Sequence, residues 1–229
     1  MKRAAAGLLV AAASWAAHAG RPLTIDDASV LPDKACQLEA WTDRSREATQ
    51  SWIAPACNFG GGIEWQAGFA RSREMQRWFF SEAYVQAKAV LLPLDPSKWG
   101  YGLVLGVSRF PAQATHRRYE NPYLIVPFSA TIGEATLHLN AGWSRDRMAH
   151  RDETFWGAAV ETPLTPRVTA VAEAFGKNRA KPFLRAGGRF AVIPDRLDLD
   201  LTVVTRPGGT RAERYVSLGM YWQGTPFLP

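Results

Sequence analysis

Between residues 35 and 223 the chain returns again and again to one pattern, with apolar residues at every second position. Leu137, Leu139, Ala141 and Trp143 alternate with Thr136, His138, Asn140 and Gly142, and Leu197, Leu199, Leu201 and Val203 alternate with Asp198, Asp200, Thr202 and Val204. Successive side chains of an extended strand point to opposite faces, so such a segment carries one apolar and one polar face. Past residue 20 no apolar run approaches the length of a transmembrane helix. A sheet like this either turns its apolar faces inward as a soluble protein, or turns them outward to lipid as a closed barrel.

The runs predict strands near 35–43, 50–58, 63–71, 80–91, 98–109, 121–131, 134–145, 153–162, 167–176, 183–193, 196–205 and 213–223, the second being interrupted by Pro55. After the even-numbered strands the connections are short and rich in Gly, Pro and Asp, as in Gly60-Gly61-Gly62, Ile132-Gly133 and Pro194-Asp195. After the odd-numbered strands they read as longer and charged, as in 109–120 and 206–214, and they hold most of the arginines. Tight turns at one end and polar loops at the other are the pattern of a transmembrane barrel. The expected fold is therefore all-β, an antiparallel up-and-down transmembrane β-barrel of about 12 strands with both termini on the periplasmic side.

The parity of each strand then divides the side chains. Val85, Leu91, Leu184 and Phe190 fall on the lipid face. Trp52, Trp65, Trp78, Trp99, Trp143, Trp156 and Trp222 lie near strand ends, where aromatic girdles belong. The lumen is expected to collect Glu39, Glu64, Glu82, Glu161, Glu173, Asp198 and Asp200, opposed by Lys88, Arg185 and Arg189, with His138 and Asn140 between them. Charges enclosed in this way form either a salt-bridge network that stiffens a narrow lumen or a polar path for a solute.

Lys2 and Arg3, the apolar run from Ala4 to Ala13 and Ala17-His18-Ala19 have the form of a secretory signal with cleavage after Ala19. That leaves residues 20–34 as an N-terminal periplasmic segment, either a strap or a chain that enters the lumen, and 35–229 as the barrel. Removing Lys2 and Arg3 lowers the net charge from +6 to +4. An exported chain does not meet nucleic acid. Its expected partners are outer-membrane lipid, lipopolysaccharide facing the arginine-rich loops, the barrel-assembly machinery and a small solute. Cys36 and Cys57 flank the first hairpin, where a cross-strand disulfide is geometrically feasible in an oxidising compartment. No cofactor and no metal site are expected at these His and Cys spacings.

Arg21-Pro22-Leu23-Thr24-Ile25-Asp26-Asp27-Ala28, followed by Cys36-Gln37-Leu38-Glu39, resembles the opening of the outer-membrane proteins assigned to the meta-pathway of phenol degradation. Pro55-Ala56-Cys57-Asn58, His138-Leu139-Asn140-Ala141-Gly142-Trp143 and Pro194-Asp195-Arg196 extend the similarity over most of the chain. The resemblance implies a barrel of the Gram-negative outer membrane that passes hydrophobic or aromatic compounds, and it brings no catalytic residues.

The expected function is a narrow passive channel or uptake protein for small hydrophobic or aromatic solutes, not an enzyme. A lipid-modifying enzyme is one alternative, but the Ser144 that shares a strand face with His138 lies about 20 Å from it at roughly 3.3 Å per residue. A structural barrel with a sealed lumen and a soluble lipocalin-like binder are the others.

Overall fold

The computed structural model describes residues 21–75, 77–94, 98–111, 121–178 and 180–226. The proposed signal segment lies outside the described residues. Twelve antiparallel strands close into a single barrel in sequence order, β1 pairing back to β12. They are β1 (Cys36–Arg44), β2 (Ala48–Asn58), β3 (Ile63–Glu74), β4 (Arg77–Leu92), β5 (Trp99–Arg109), β6 (Asn121–Ile132), β7 (Ala135–Asp146), β8 (Arg151–Thr165), β9 (Val168–Lys177), β10 (Phe183–Ile193), β11 (Leu197–Thr205) and β12 (Tyr215–Gln223). Closure removes the two sheet edges, so every strand finds a partner on both sides without water.

The outer surface is apolar along every strand, as lipid demands. Leu105, Leu199, Leu201, Val203 and Leu218 are each about half exposed, while their neighbours Val104, Asp200, Thr202 and Ser217 are buried. Trp65, Trp99 and Trp222 stand outward at the tight-turn end, and Trp78, Trp143 and Trp156 at the other end, which makes two girdles. Trp52 departs from this expectation. It turns inward and stacks on Trp41 with ring centroids 5.3 Å apart.

The prolines sit where the ladder can lose an N–H. Pairing of β2 with β3 skips from Ile53 to Ala56, so Pro55 has no donor to supply on that side, although Leu38 faces it across β1. Pro163 marks the bulge between β8 and β9 in the same way. Cys36 lies opposite Cys57 and the two are disulfide-bonded.

The difference in loop length between the two ends is smaller than the sequence suggests. Only residues 45–47 join β1 to β2 and only 75–76 join β3 to β4. The strands run on into charged sequence, pairing Arg73 with Trp78 and Glu74 with Arg77, because charges above the lipid boundary cost little. The long connections of this end are 110–120 and 206–214.

Residues 21–34 take the second of the two courses open to them, entry into the lumen. They do not lie at the periplasmic rim but inside the barrel. From Arg21, beside β11 and β12, the segment passes β9, β7, β6, β4 and β3 in turn and returns to β2 and β1.

Candidate functional site: a loop-side cup floored by the N-terminal segment

The inward side chains of the lower barrel are built around this segment. An extended chain has backbone N–H groups that no strand satisfies, and inside a barrel they need acceptors. Glu39 accepts the N–H of Arg21 at 3.0 Å, Glu173 those of Thr24 and Ile25 at 2.8 and 3.0 Å, and Glu64 that of Leu31 at 2.9 Å. Asn140 does both jobs at once, accepting from the Asp26 N–H at 3.0 Å and donating to the Asp26 carbonyl at 2.7 Å. The Ala28 N–H donates to Ser129 Oγ at 3.0 Å.

Ion pairs fix the segment at two points. Lys88 Nζ lies 2.9 Å from Asp27 and 3.8 Å from Asp26, and the Arg21 guanidinium lies 2.7 Å from Asp200 while stacking over Trp41. A third cluster belongs to the wall itself. Arg189 holds Glu161 at 2.9 Å and Asp198 at 3.7 Å, and donates to the Arg21 carbonyl at 3.2 Å. Leu23 and Ile25 add an apolar contact with Ala159 and Val171.

Glu39, Glu64, Lys88, His138, Asn140, Glu161, Glu173, Arg185 and Asp200 are buried, and Glu82, Arg189 and Asp198 are half-buried. All but Glu82 are engaged mainly in holding residues 21–34 or one another, Arg185 lying 3.5 Å from Glu173.

His138 is fully buried, and its Nδ1 lies 2.8 Å from Ser129 Oγ, with Glu161 4.0 Å from Nε2. The nearby hydroxyl is thus Ser129 on β6 rather than Ser144. This trio has the residue types of a hydrolytic triad, but Ser129 and His138 are buried and the segment's Ala28 N–H already donates to the Ser129 oxygen.

Above the floor, toward the long loops, lies a cavity of about 710 Å³. Its walls carry the aromatic rings of Trp41, Trp52, Tyr84, Tyr123, Phe155 and Phe175 among charged and polar side chains. Three of these rings lie flat against a glycine of the adjacent strand, since a Cβ on Gly68, Gly106 or Gly142 would come within 2.0–2.3 Å of Tyr84, Tyr123 or Phe155. The glycines hold the rings back against the wall and keep the cup open. The Tyr84 hydroxyl donates to Gln66 at 3.1 Å and that of Tyr123 to Gln86 at 2.8 Å, so both rings are fixed at their tips as well.

Sequence reasoning missed Arg21, Asp26, Asp27 and Ser129 because their partners are distant along the chain; Lys88 and Asp27 are 61 residues apart, Arg21 and Asp200 179. Trp41 was within reach. It has the parity of Glu39, and the register that pairs Cys36 with Cys57 also pairs Trp41 with Trp52.

A closed barrel with an apolar belt, two aromatic girdles and a polar interior is a membrane-spanning β-barrel. Comparison with solved structures agrees with that architecture. The KdgM porin, solved in complex with disordered oligogalacturonate, superposes with a TM-score of 0.62 at 8% identity, covering 81% of this chain and 98% of its own. An outer membrane channel from Pseudomonas putida F1 gives 0.60 at 9% identity, covering 88% and 100%, and the NanC porin 0.54 at 10%, covering 81% and 97%. The chain belongs to the family described as uncharacterised conserved protein UCP029691, whose model matches residues 6–222. No curated protein matches it in sequence.

Proposed function

We propose that the protein is a channel or uptake protein of the Gram-negative outer membrane that takes small aromatic or hydrophobic solutes into the loop-side cup and passes them inward. The observation that carries this reading is the cup itself. Its volume is that of a small-molecule site, and aromatic rings line it together with charged and polar side chains. The porin and channel folds it resembles support the same class, and the likeness of the N-terminal residues to the phenol-pathway outer-membrane proteins supports aromatic solutes. Lipopolysaccharide beside the arginine-bearing loops and the assembly machinery are the partners this location implies.

Residues 21–26 floor the cup, so passage requires that floor to yield. Swelling of proteoliposomes in isotonic phenylalanine, compared with an isotonic tetrasaccharide, tests the proposal. Swelling in the small solute alone is expected. Vesicles that swell no faster than protein-free ones in either solute would overturn it.

A further inference from the structure

On the outside of the barrel, at its loop end, the charges are gathered on one flank. Arg44 on β1, and Arg71 and Arg73 on β3, are exposed and have the outward parity of Ile53 and Phe69. Arg44, Thr49, Arg73 and Trp78 form one row across four strands, and Thr42, Ser51, Arg71 and Phe80 form the row below it. One row further down, Ile53, Phe69 and Ala83 lead to Arg109 on β5. The Cα atoms of Arg71 and Arg73 are roughly 7 Å apart along the strand, and that of Arg44 lies roughly 10 Å from Arg73 across two strand spacings.

Among the described residues no carboxylate faces outward on these five strands. Glu39, Asp43, Glu64 and Glu82 turn to the lumen, Glu74 has the parity of the buried Ser72, and Glu47 lies in the turn 45–47. On β6 to β12 the outward charges of this end are Arg145 and Asp152, which pair at 3.1 Å and cancel. Trp78 belongs to the girdle, so the arginines of β1 and β3 stand where headgroups meet hydrocarbon, a depth at which an outward charge costs little. The Arg71 guanidinium lies over the Trp78 ring, 5.5 Å from its centroid. Below it Ile53, Phe69 and Phe80 are each nearly half exposed and offer an apolar surface. Like charges on one flank repel one another, and since these strands supply no outward carboxylate, the relieving anion comes from the bilayer.

We propose that this flank is a binding site for one lipopolysaccharide molecule, held by the phosphates of its diglucosamine headgroup. Arginine forks take phosphate oxygens in a bidentate way, and the acyl chains run down over Ile53, Phe69 and Phe80. A cationic surface roughly 10 Å across outreaches the single phosphate of a phospholipid, whereas a headgroup phosphorylated at both ends spans it. The inference rests on the reading of the barrel as an outer-membrane protein with its long loops outward, but not on the cup or on passage through it.

The test is native mass spectrometry of the full-length protein, refolded in detergent and titrated with bis-phosphorylated lipid A, with lipid A stripped of both phosphates, and with phosphatidylglycerol. One lipid A should bind, about tenfold or more tighter than either comparison lipid, and an excess of inorganic phosphate should not displace it. Arg71→Gln combined with Arg73→Gln should weaken lipid A about tenfold, the worth of two ion pairs at an exposed surface. Arg44→Gln should weaken it about threefold, the worth of one such pair. Arg145→Gln, on the far side and already matched by Asp152, should leave the affinity unchanged. Heat-modifiable gel mobility establishes that each variant is folded, and Arg44→Gln decides the matter should the double variant fail to fold. Equal affinity for the three lipids, undiminished binding in the variants of this flank, an equal loss in Arg145→Gln, or displacement by inorganic phosphate overturns the proposal. Lipid A binding of this pattern without solute-driven swelling would overturn the channel and keep the site; swelling without such binding would do the reverse.

Discussion

Lys88→Gln is the substitution with the most to say about residues 21–34. Lys88 is buried, and its ammonium neutralises Asp27 at 2.9 Å and Asp26 at 3.8 Å. Removing one partner of a buried pair strands the other charge at a cost of about 3–5 kcal/mol. Glutamine can still donate one hydrogen bond, so the lower end of that range applies. The strands hold their own ladder, so the cost falls on the attachment of the segment. At about 1.4 kcal/mol per tenfold, the detached population should rise roughly 10²-fold or more. Hydrogen–deuterium exchange reads this directly, because the N–H groups of Thr24, Ile25, Asp26, Ala28 and Leu31 are protected only by lumenal acceptors. Peptides covering 21–34 should exchange about a hundredfold faster in the variant, with peptides from β7 and β8 unchanged as the internal reference. Unaltered exchange across 21–34 in a folded variant would refute the reasoning, and so would equal acceleration in every strand, which would mean that Lys88 supports the barrel rather than its floor.

Other parts of the molecule make equally definite predictions. Leu105→Arg, at a half-exposed position in mid-strand, should cost about 2–4 kcal/mol of folding into a bilayer, whereas Ile132→Arg at a strand end should cost roughly 0–1 kcal/mol, both measured by denaturant titration in lipid vesicles. Loss of the Cys36–Cys57 bond, which closes a sequence separation of 21 residues, should cost about 3 kcal/mol and lower the temperature at which gel mobility shifts. Gly106→Ala should force the Tyr123 ring off the wall, costing roughly 1–3 kcal/mol and weakening any ligand that occupies the cup. In the loop between β11 and β12, the Thr210 N–H and the Arg206 guanidinium hold the Glu213 carboxyl below the usual value of 4.5. The order it lends that loop is present at neutral pH and should be lost as acid takes the pH below that value, seen as faster exchange confined to 206–214.

Much of the barrel was legible because a membrane imposes a strict pattern. The expected strand at 183–193 coincides with β10, and 121–131 differs from β6 by one residue. The parity of Leu184 and Arg185 sorted lipid from lumen because lipid tolerates no charge at mid-depth. Legibility failed where parity alone does not decide. Trp52 suits a girdle by composition, and only its partner Trp41 across the hairpin shows that it points inward. Residues 21–34 have no periodicity and take their shape from contacts far along the chain, so Asp26-Asp27 and Lys88 were each visible while their pairing was not. The same holds for the lumenal glutamates, which read as a salt-bridge network or a solute path. Glu39, Glu64 and Glu173 also accept backbone N–H groups of the segment, a role that parity alone does not show.

The central claim is that this barrel conducts small solutes past a floor that its own N-terminal segment provides. Single-channel recording of the full-length protein in a planar bilayer tests it most directly, alongside Lys88→Gln and with folding established by heat-modifiable mobility. Brief, discrete current steps from the unaltered protein, longer and more frequent in the variant, are the predicted result. Silence from both folded proteins would contradict the claim and leave a sealed barrel whose cup binds without transport.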